Sequence, residues 1–255
     1  MNLDLAHALN LADQLEQRIS ASPKVEVVLC PSYIALASLR EKINKFKFKL
    51  GAQDLFYVDE GLFTGEVSAT MLRGLVDYAI IGHSERRLNF NEDSRVVARK
   101  MSAALRNDIV PILCIGETAD ERATGEALRV LHDQLTTALI MLTPADISNI
   151  VVTYEPPGAI SSGDGRGDIA EPGQIEQALQ FIDHTITELY SKATAGAVRL
   201  LYGGSVNVDF VKDYLKIKNL DGFLIGGASL NYEEFSRIVK TVQGTASRSK
   251  MRAKS

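Results

Sequence analysis

Cysteine is scarce in this chain of 255 residues: there are 2, and no tryptophan at all. Two thiols cannot form the framework of a disulfide-stapled secreted domain. Cys30 and Cys114 both sit in apolar runs, which fits buried thiols kept reduced. Also missing is a charged start followed by a short apolar segment, the mark of a secretory leader. No apolar run is long enough to span a bilayer, so the expected compartment is the cytoplasm, with no membrane partner. Charge of one sign is lacking too: Lys and Arg number 28 against 32 Asp and Glu, a net charge of −4. That balance argues against a general nucleic-acid partner. No His, Cys and Asp cluster has the spacing of a metal site, so neither metal nor other cofactor is expected.

What is present is alternation. The first helix is predicted from Leu5, Leu9, Ala12 and Leu15, which recur at three-to-four spacing. Strand-like runs follow at Val25–Cys30, Phe46–Ala52, Tyr78–His83, Val110–Ile115, Ile150–Glu155, Val198–Tyr202 and Gly222–Ile225. Several are continuous aliphatic stretches, the pattern of parallel strands covered on both faces. Helical patterns separate them. One runs from Asp120 to Leu142, with Leu128, Leu131, Leu135 and Leu139 on a single face. Another opens at Pro172, with Ile175, Leu179 and Ile182 inward. No linker or change of composition divides the chain, so one domain is expected over residues 1–243. Residues 244–255 carry Arg248, Lys250, Arg252 and Lys254 and read as a basic, frayed tail. A closed (β/α)8 barrel needs one strand more than the seven runs found. The missing strand belongs before residue 1.

Two strands end on reactive side chains. His83 closes Tyr78–His83, and Glu155 closes Ile150–Glu155. In closed α/β barrels catalytic groups lie at the carboxyl ends of the strands, so the two belong to one site. A nearby helix N-terminus disfavours the imidazolium and keeps a histidine neutral. A carboxylate withdrawn from water works as a general base. Gly203-Gly204-Ser205 and Gly226-Gly227-Ala228-Ser229 follow the last two strands, where backbone N–H groups can approach a phosphate. The stretch from Pro156 to Asp168 holds Gly158, Gly163, Gly165 and Gly167 and is long for such a connection. It reads as an active-site lid or as a surface insertion.

These segments resemble the triosephosphate isomerase family. The match rests on Gly82-His83-Ser84-Glu85-Arg86-Arg87, Tyr154-Glu155-Pro156, Tyr202-Gly203-Gly204-Ser205-Val206 and Asp221 to Ser229. It also rests on Gly51-Ala52-Gln53, Phe63-Thr64-Gly65-Glu66 and Pro111 to Glu117, all in order. The resemblance implies a (β/α)8 barrel and the interconversion of glyceraldehyde 3-phosphate and dihydroxyacetone phosphate. It implies Glu155 as the base and His83 as the neutral electrophile, with Glu85 a second carboxylate beside them. Ser161, Ser205, Gly226 and Gly227 would bind the phosphate. Pro156, Gly158, Ala159, Ile160, Gly163 and Arg166 would belong to the lid. Phe56 to Glu66, with Gln53, Phe63, Thr64 and Gly65, would meet a second subunit in a homodimer.

Two departures stand out. The family's first strand ends in Asn-x-Lys-Met-Asn, and here Met1-Asn2 matches only its last two residues. The strand and its lysine are absent, and Glu85 loses the lysine's charge. Met1 therefore reads as a false start. A single preorganised donor of this kind is worth about 3–4 kcal/mol in a transition state, so the chain as written is expected to be compromised. The second departure is the lid, where Gly158 replaces the family's hinge tryptophan and Ser161 stands where a phosphate-binding glycine is expected. Arg166 is the one candidate for a replacement charge. A non-catalytic phosphate-binding relative and an isomerase of another phosphosugar remain alternatives.

Overall fold

A computed structural model of the chain describes residues 1–156 and 170–246. Its centre is a parallel sheet of seven strands in sequential order, β1 to β7. A helix precedes the sheet, α1 (Leu5–Arg18), and helical segments follow each strand. β1 (Val28–Leu29) leads to α2 (Tyr33–Lys42), and β2 (Lys49–Ala52) to α3 (Ala69–Leu72). β3 (Tyr78–Ile81) leads to α4 (Ser84–Phe90) and α5 (Ser94–Arg106). β4 (Val110–Ile115) leads to α6 (Ala119–Ala123), α7 (Ala127–Leu139) and α8 (Pro144–Ile147). β5 (Val151–Tyr154) leads to α9 (Pro172–Leu189) and α10 (Lys192–Ala195). β6 (Arg199–Gly203) leads to α11 (Val211–Tyr214), and β7 (Gly222–Leu224) to a 3-10 turn at Gly227–Leu230 and then α12 (Tyr232–Ala246). Among the described residues no helix is long and apolar enough to cross a membrane.

The strands form because their two faces both find apolar cover. Successive strand side chains point to opposite sides. On one side Tyr78, Ile80, Ile112, Cys114 and Val151 make a compact cluster, joined by Val28, Cys30, Val110, Leu201 and Leu224. On the other, Ala79, Ile81, Leu113, Val152 and Tyr154 pack into a larger core with the helices. The first cluster draws from six of the seven strands, so it is the filled interior of a curled sheet. At the amino-terminal end of the strands, Arg199 donates to Glu26 at 3.1 Å and to the Tyr78 hydroxyl at 2.9 Å. That triad ties the approach to β1, the start of β3 and the start of β6 together across the interior.

Caps set the helix starts. Asp4 accepts from the His7 N–H at 2.9 Å at the head of α1, and Asp93 accepts from Arg95 and Val96 at the head of α5. Pro172 occupies the first turn of α9, where its missing N–H costs nothing. The inward residues Ile175, Leu179 and Ile182 are fully buried there, as expected.

Some boundaries differ from the sequence reading. The run Asp120 to Leu142 divides into α6 and α7, and Leu128 is exposed while Leu131, Leu135 and Leu139 are buried. Leu128 is the second residue of α7 and lies off its buried face of Leu131, Leu135 and Leu139. In α1 the buried residues are Ala8, Ala12 and Leu15, whereas Leu5 is exposed. The first strand run shrinks to two residues, Val28–Leu29. It has a hydrogen-bonded neighbour on one side only among the described residues.

Candidate functional site

All seven strands are parallel, so their carboxyl ends share one end of the sheet. His83 follows β3 and Glu155 follows β5, and the structure brings them into contact. His83 Nε2 lies 3.1 Å from Glu155 Oε1. The other carboxylate oxygen accepts the Ser84 backbone N–H at 3.0 Å. Glu155 is buried, its side chain 2% exposed, while His83 is 24% exposed. The carboxylate is thus withdrawn from water but held by two donors, and the ring forms the open side of the pair.

The ring's proton has a defined place. His83 is the N-cap of α4, and its Nδ1 accepts the Glu85 backbone N–H at 3.3 Å. In the neutral ring Nε2 then carries the proton and points at Glu155. The geometry provides a carboxylate able to take a proton and a neutral N–H able to donate to a developing oxyanion. The Glu85 carboxylate is exposed and stands 3.9 Å from His83 Nδ1, beyond hydrogen-bond reach.

Backbone contacts that side-chain motifs do not reveal fix this pair. Gly82 adopts φ 73°, a conformation natural to glycine, and turns the chain from β3 into α4. Arg87 donates from Nε to the Gly82 carbonyl at 2.8 Å and from Nη2 to the Cys114 carbonyl at 3.3 Å. It thereby links the ends of β3 and β4. At the end of β4, a Cβ on Gly116 would lie 1.9 Å from the Glu155 carbonyl oxygen. Only glycine lets β4 run that close to the backbone of Glu155. Gln134 of α7 holds the Gly116 peptide from both sides, accepting its N–H at 3.0 Å and donating to its carbonyl at 2.9 Å.

Next to Glu155 in sequence, Tyr154 donates to Glu117 at 3.0 Å, and Arg122 donates from Nε to the same oxygen at 2.8 Å. Cys114 lies fully buried beside Glu155, and burial pushes its thiol well above the ordinary cysteine range, with the Glu155 carboxylate adding to the effect. A further charged cluster braces α4. Lys100 reaches Asp54 at 2.7 Å and Glu92 at 2.6 Å, and Arg86 reaches the same two carboxylates at 2.9 and 2.7 Å. Burial pushes the Glu92 carboxyl up, but hydrogen bonds and charge from Lys100 and Arg86 outweigh it and hold the group below the usual range.

The remaining sequence candidates fall at the same end or nearby. Ser205 follows β6 and is half-buried, and Gly226 and Gly227 follow β7 and are exposed. A Cβ on Gly226 would meet only open space, so its backbone is accessible to a ligand. Pro156 is buried directly after Glu155. Gly158, Ala159, Ile160, Ser161, Gly163 and Arg166, all expected in the lid, lie outside the described residues. Gln53 is exposed and donates to the Cys30 carbonyl at 2.9 Å. Thr64 and Gly65 are exposed, Phe63 is 44% exposed, and Leu62 beside it is wholly open.

Comparison with known proteins identifies the relatives of this arrangement. A family model described as triosephosphate isomerase matches residues 1–242. A triosephosphate isomerase of Chloroherpeton thalassium is 38% identical over 95% of this chain and 96% of its own length. One from Roseiflexus is 42% identical over 84% of this chain and 83% of its own. One from Citrifermentans bemidjiense is 42% identical over 91% and 92%.

Proposed function

Since the chain belongs to the triosephosphate isomerase family, we propose that its buried Glu155 and capped His83 carry out that family's aldose–ketose isomerisation. The substrate is a triose phosphate, interconverted between glyceraldehyde 3-phosphate and dihydroxyacetone phosphate. Glu155 takes a proton from the carbon beside the carbonyl, and the electrons move onto the carbonyl oxygen as an enediolate. His83 passes its Nε2 proton to that oxygen and takes the hydroxyl proton from the neighbouring oxygen, which becomes the new carbonyl oxygen as its carbon is reprotonated. Glu155 then returns its proton to the neighbouring carbon. A positioned acid–base pair of this kind contributes about 10²–10⁴-fold to rate.

The observation that carries this reading is the 3.1 Å approach of His83 Nε2 to a carboxylate oxygen that is otherwise walled off from water. Ser205, Gly226 and Gly227 are the phosphate ligands in this proposal, supported by their place after the last two strands. Ser161 would bind the same phosphate from the lid, to which Pro156, Gly158 and Arg166 would also belong. Glu85 stays in a supporting role through its backbone cap on His83. The reading extends to a homodimer through Gln53 and the 56–66 loop, supported by the exposed Leu62 and Phe63. It also extends to the cytoplasm, supported by the two free cysteines.

The test is isomerisation of glyceraldehyde 3-phosphate by the 255-residue chain, with Glu155→Gln as the blank. Turnover that disappears in the variant supports the assignment. Turnover that persists undiminished in Glu155→Gln rejects it. Sedimentation at micromolar concentration tests the dimer independently, and a monomer would reject that part.

A further inference from the structure

His83 caps α4 and Ser84 begins it, so the grip on Glu155 is only as firm as the seat of that helix. α4 buries none of its residues, and its large apolar side chains, Leu88 and Phe90, are exposed. The packed apolar face that ordinarily fixes a helix is therefore missing. Polar ties stand in its place. Arg86 fastens α4 to Asp54 and Glu92. Arg87 fastens it to the ends of the strands.

This second tie is unusual chemistry for a buried cation. Arg87 donates from Nε to the Gly82 carbonyl at 2.8 Å, from Nη2 to the Cys114 carbonyl at 3.3 Å and from Nη1 to the Ser94 hydroxyl at 3.2 Å. All of these partners are uncharged, and Arg87 forms no ion pair among the described residues. Withdrawing a guanidinium from water without a carboxylate partner is costly. Burial, the largest influence, holds it below the ordinary arginine range, yet an arginine stays charged at neutral pH. Gly82 makes room for the group: a Cβ there would lie 2.9 Å from Arg87 Nη2 and 3.2 Å from the Cys114 carbonyl oxygen. The two carbonyls are placed to matter. Gly82 immediately precedes His83. Cys114 immediately precedes Ile115, whose carbonyl accepts the Glu155 N–H at 2.8 Å.

We propose that Arg87 is a positioning residue for the isomerisation, a single planar guanidinium that spans the ends of β3 and β4 and so fixes how far His83 stands from Glu155. The inference rests on the isomerase reading of that pair. Arg87 donates to neither the imidazole nor the carboxylate, so it acts through the backbone. A rigid fork holds two acceptors in set directions, which the point charge of a lysine does not. Misplacing reacting groups by about 1 Å costs about 10²-fold in rate. That is what the unpaired cation secures.

Arg87→Met keeps an apolar stem and removes the fork. It is expected to lower kcat about 10²-fold or more and to move KM by less than about threefold. Arg87→Lys keeps the charge without the fork and is still expected to lose about tenfold in kcat. A second readout needs no turnover. In protein labelled with ¹⁵N-histidine, the Nε2 proton of His83, held against Glu155, should give a cross-peak that is lost in His83→Gln. That peak should vanish in Arg87→Met while the amides of β4 stay protected from exchange. If Arg87→Met does not fold, Arg87→Lys decides by the same two measurements. Unimpaired kcat in Arg87→Lys, a loss confined to KM, or an unchanged ring peak in either variant would overturn the proposal. So would the absence of that peak from the unmodified chain. Failure of the isomerase reading is told apart by the Glu155→Gln assay, because the ring peak reports the held pair whatever the chain turns over.

Discussion

The middle of the sheet and its margins are built differently. In β3, β4 and β5 nearly every residue is buried, and Ala79, Ile81, Leu113, Cys114, Val152 and Tyr154 show no exposure. β1 and β7 are two and three residues long and half-buried throughout. The pair proposed to handle protons, His83 and Glu155, follows β3 and β5 in the middle. Gly226 and Gly227, proposed to bind an anion, follow the marginal β7. Acid–base chemistry needs atoms held to fractions of an ångström, and dense packing supplies that. Binding an anion by backbone N–H groups needs access, which open strand ends supply.

The sharpest separation of the two regions should come from paired substitutions. Glu155→Gln is expected to lower kcat by about 10²–10⁴-fold with little change in KM. Ser205→Ala is expected to cost about tenfold, chiefly in KM, through one lost hydrogen bond to a charged group. Steady-state kinetics would break the comparison if the serine cost as much kcat as the glutamate. Next in size is stability. Ile81→Ala in the middle should cost about 2–5 kcal/mol, whereas Leu224→Ala at the margin should cost about 1 kcal/mol or less. Urea unfolding of both variants measures this, and equal costs would mean that the margin is as well packed as the middle.

The two thiols offer a finer probe. Burial pushes Cys30 up to about 12 and Cys114 well above its ordinary value, so neither should react with iodoacetamide at pH 8 in the native protein. As urea rises, Cys30 should be labelled before Cys114, because the margin opens first. Labelling in the reverse order would contradict the picture.

The smallest effect lies outside the sheet. Hydrogen bonds from Arg106, the largest influence, hold the Asp59 carboxyl below the ordinary aspartate value. A depressed carboxyl stabilises the fold above its unfolded pKa and loses that contribution as pH falls through the folded one. Asp59→Asn should therefore cost less than about 1 kcal/mol near neutral pH, since the pair is solvent-screened. The difference from the unmodified chain should vanish below the depressed value, and a gap that persists at low pH would assign it to something other than this ionisation.

Much of this organisation is legible in the residues. Continuous aliphatic runs locate the strands, and Val110–Ile115 matches β4 to the residue. The Pro172 start and the buried face of α9 are likewise readable. His83 and Glu155 declare themselves by ending apolar strands, and their contact follows from parallel pairing. What the residues do not reveal is held by backbone atoms or by neighbours distant in sequence. The Ser84 N–H that fixes Glu155 has no side-chain signature. Gln134 reads as an ordinary polar helix residue, yet it holds the Gly116 peptide. The shortness of β1 was equally hidden, because Val25–Cys30 is as strand-like as any other run. Pairing on one side, not composition, sets how far it extends. Leu128 shows the converse, an apolar residue with helical spacing that lies outside the packed face.

Gly116 offers no functional group, and an inventory of reactive side chains would pass over it. Yet the backbone of Glu155 occupies the volume that any other residue's first carbon would need. The address of Glu155 is written partly as an empty space on the neighbouring strand. A saturation library should find position 116 as intolerant as position 155, for a reason that is steric where the other is chemical.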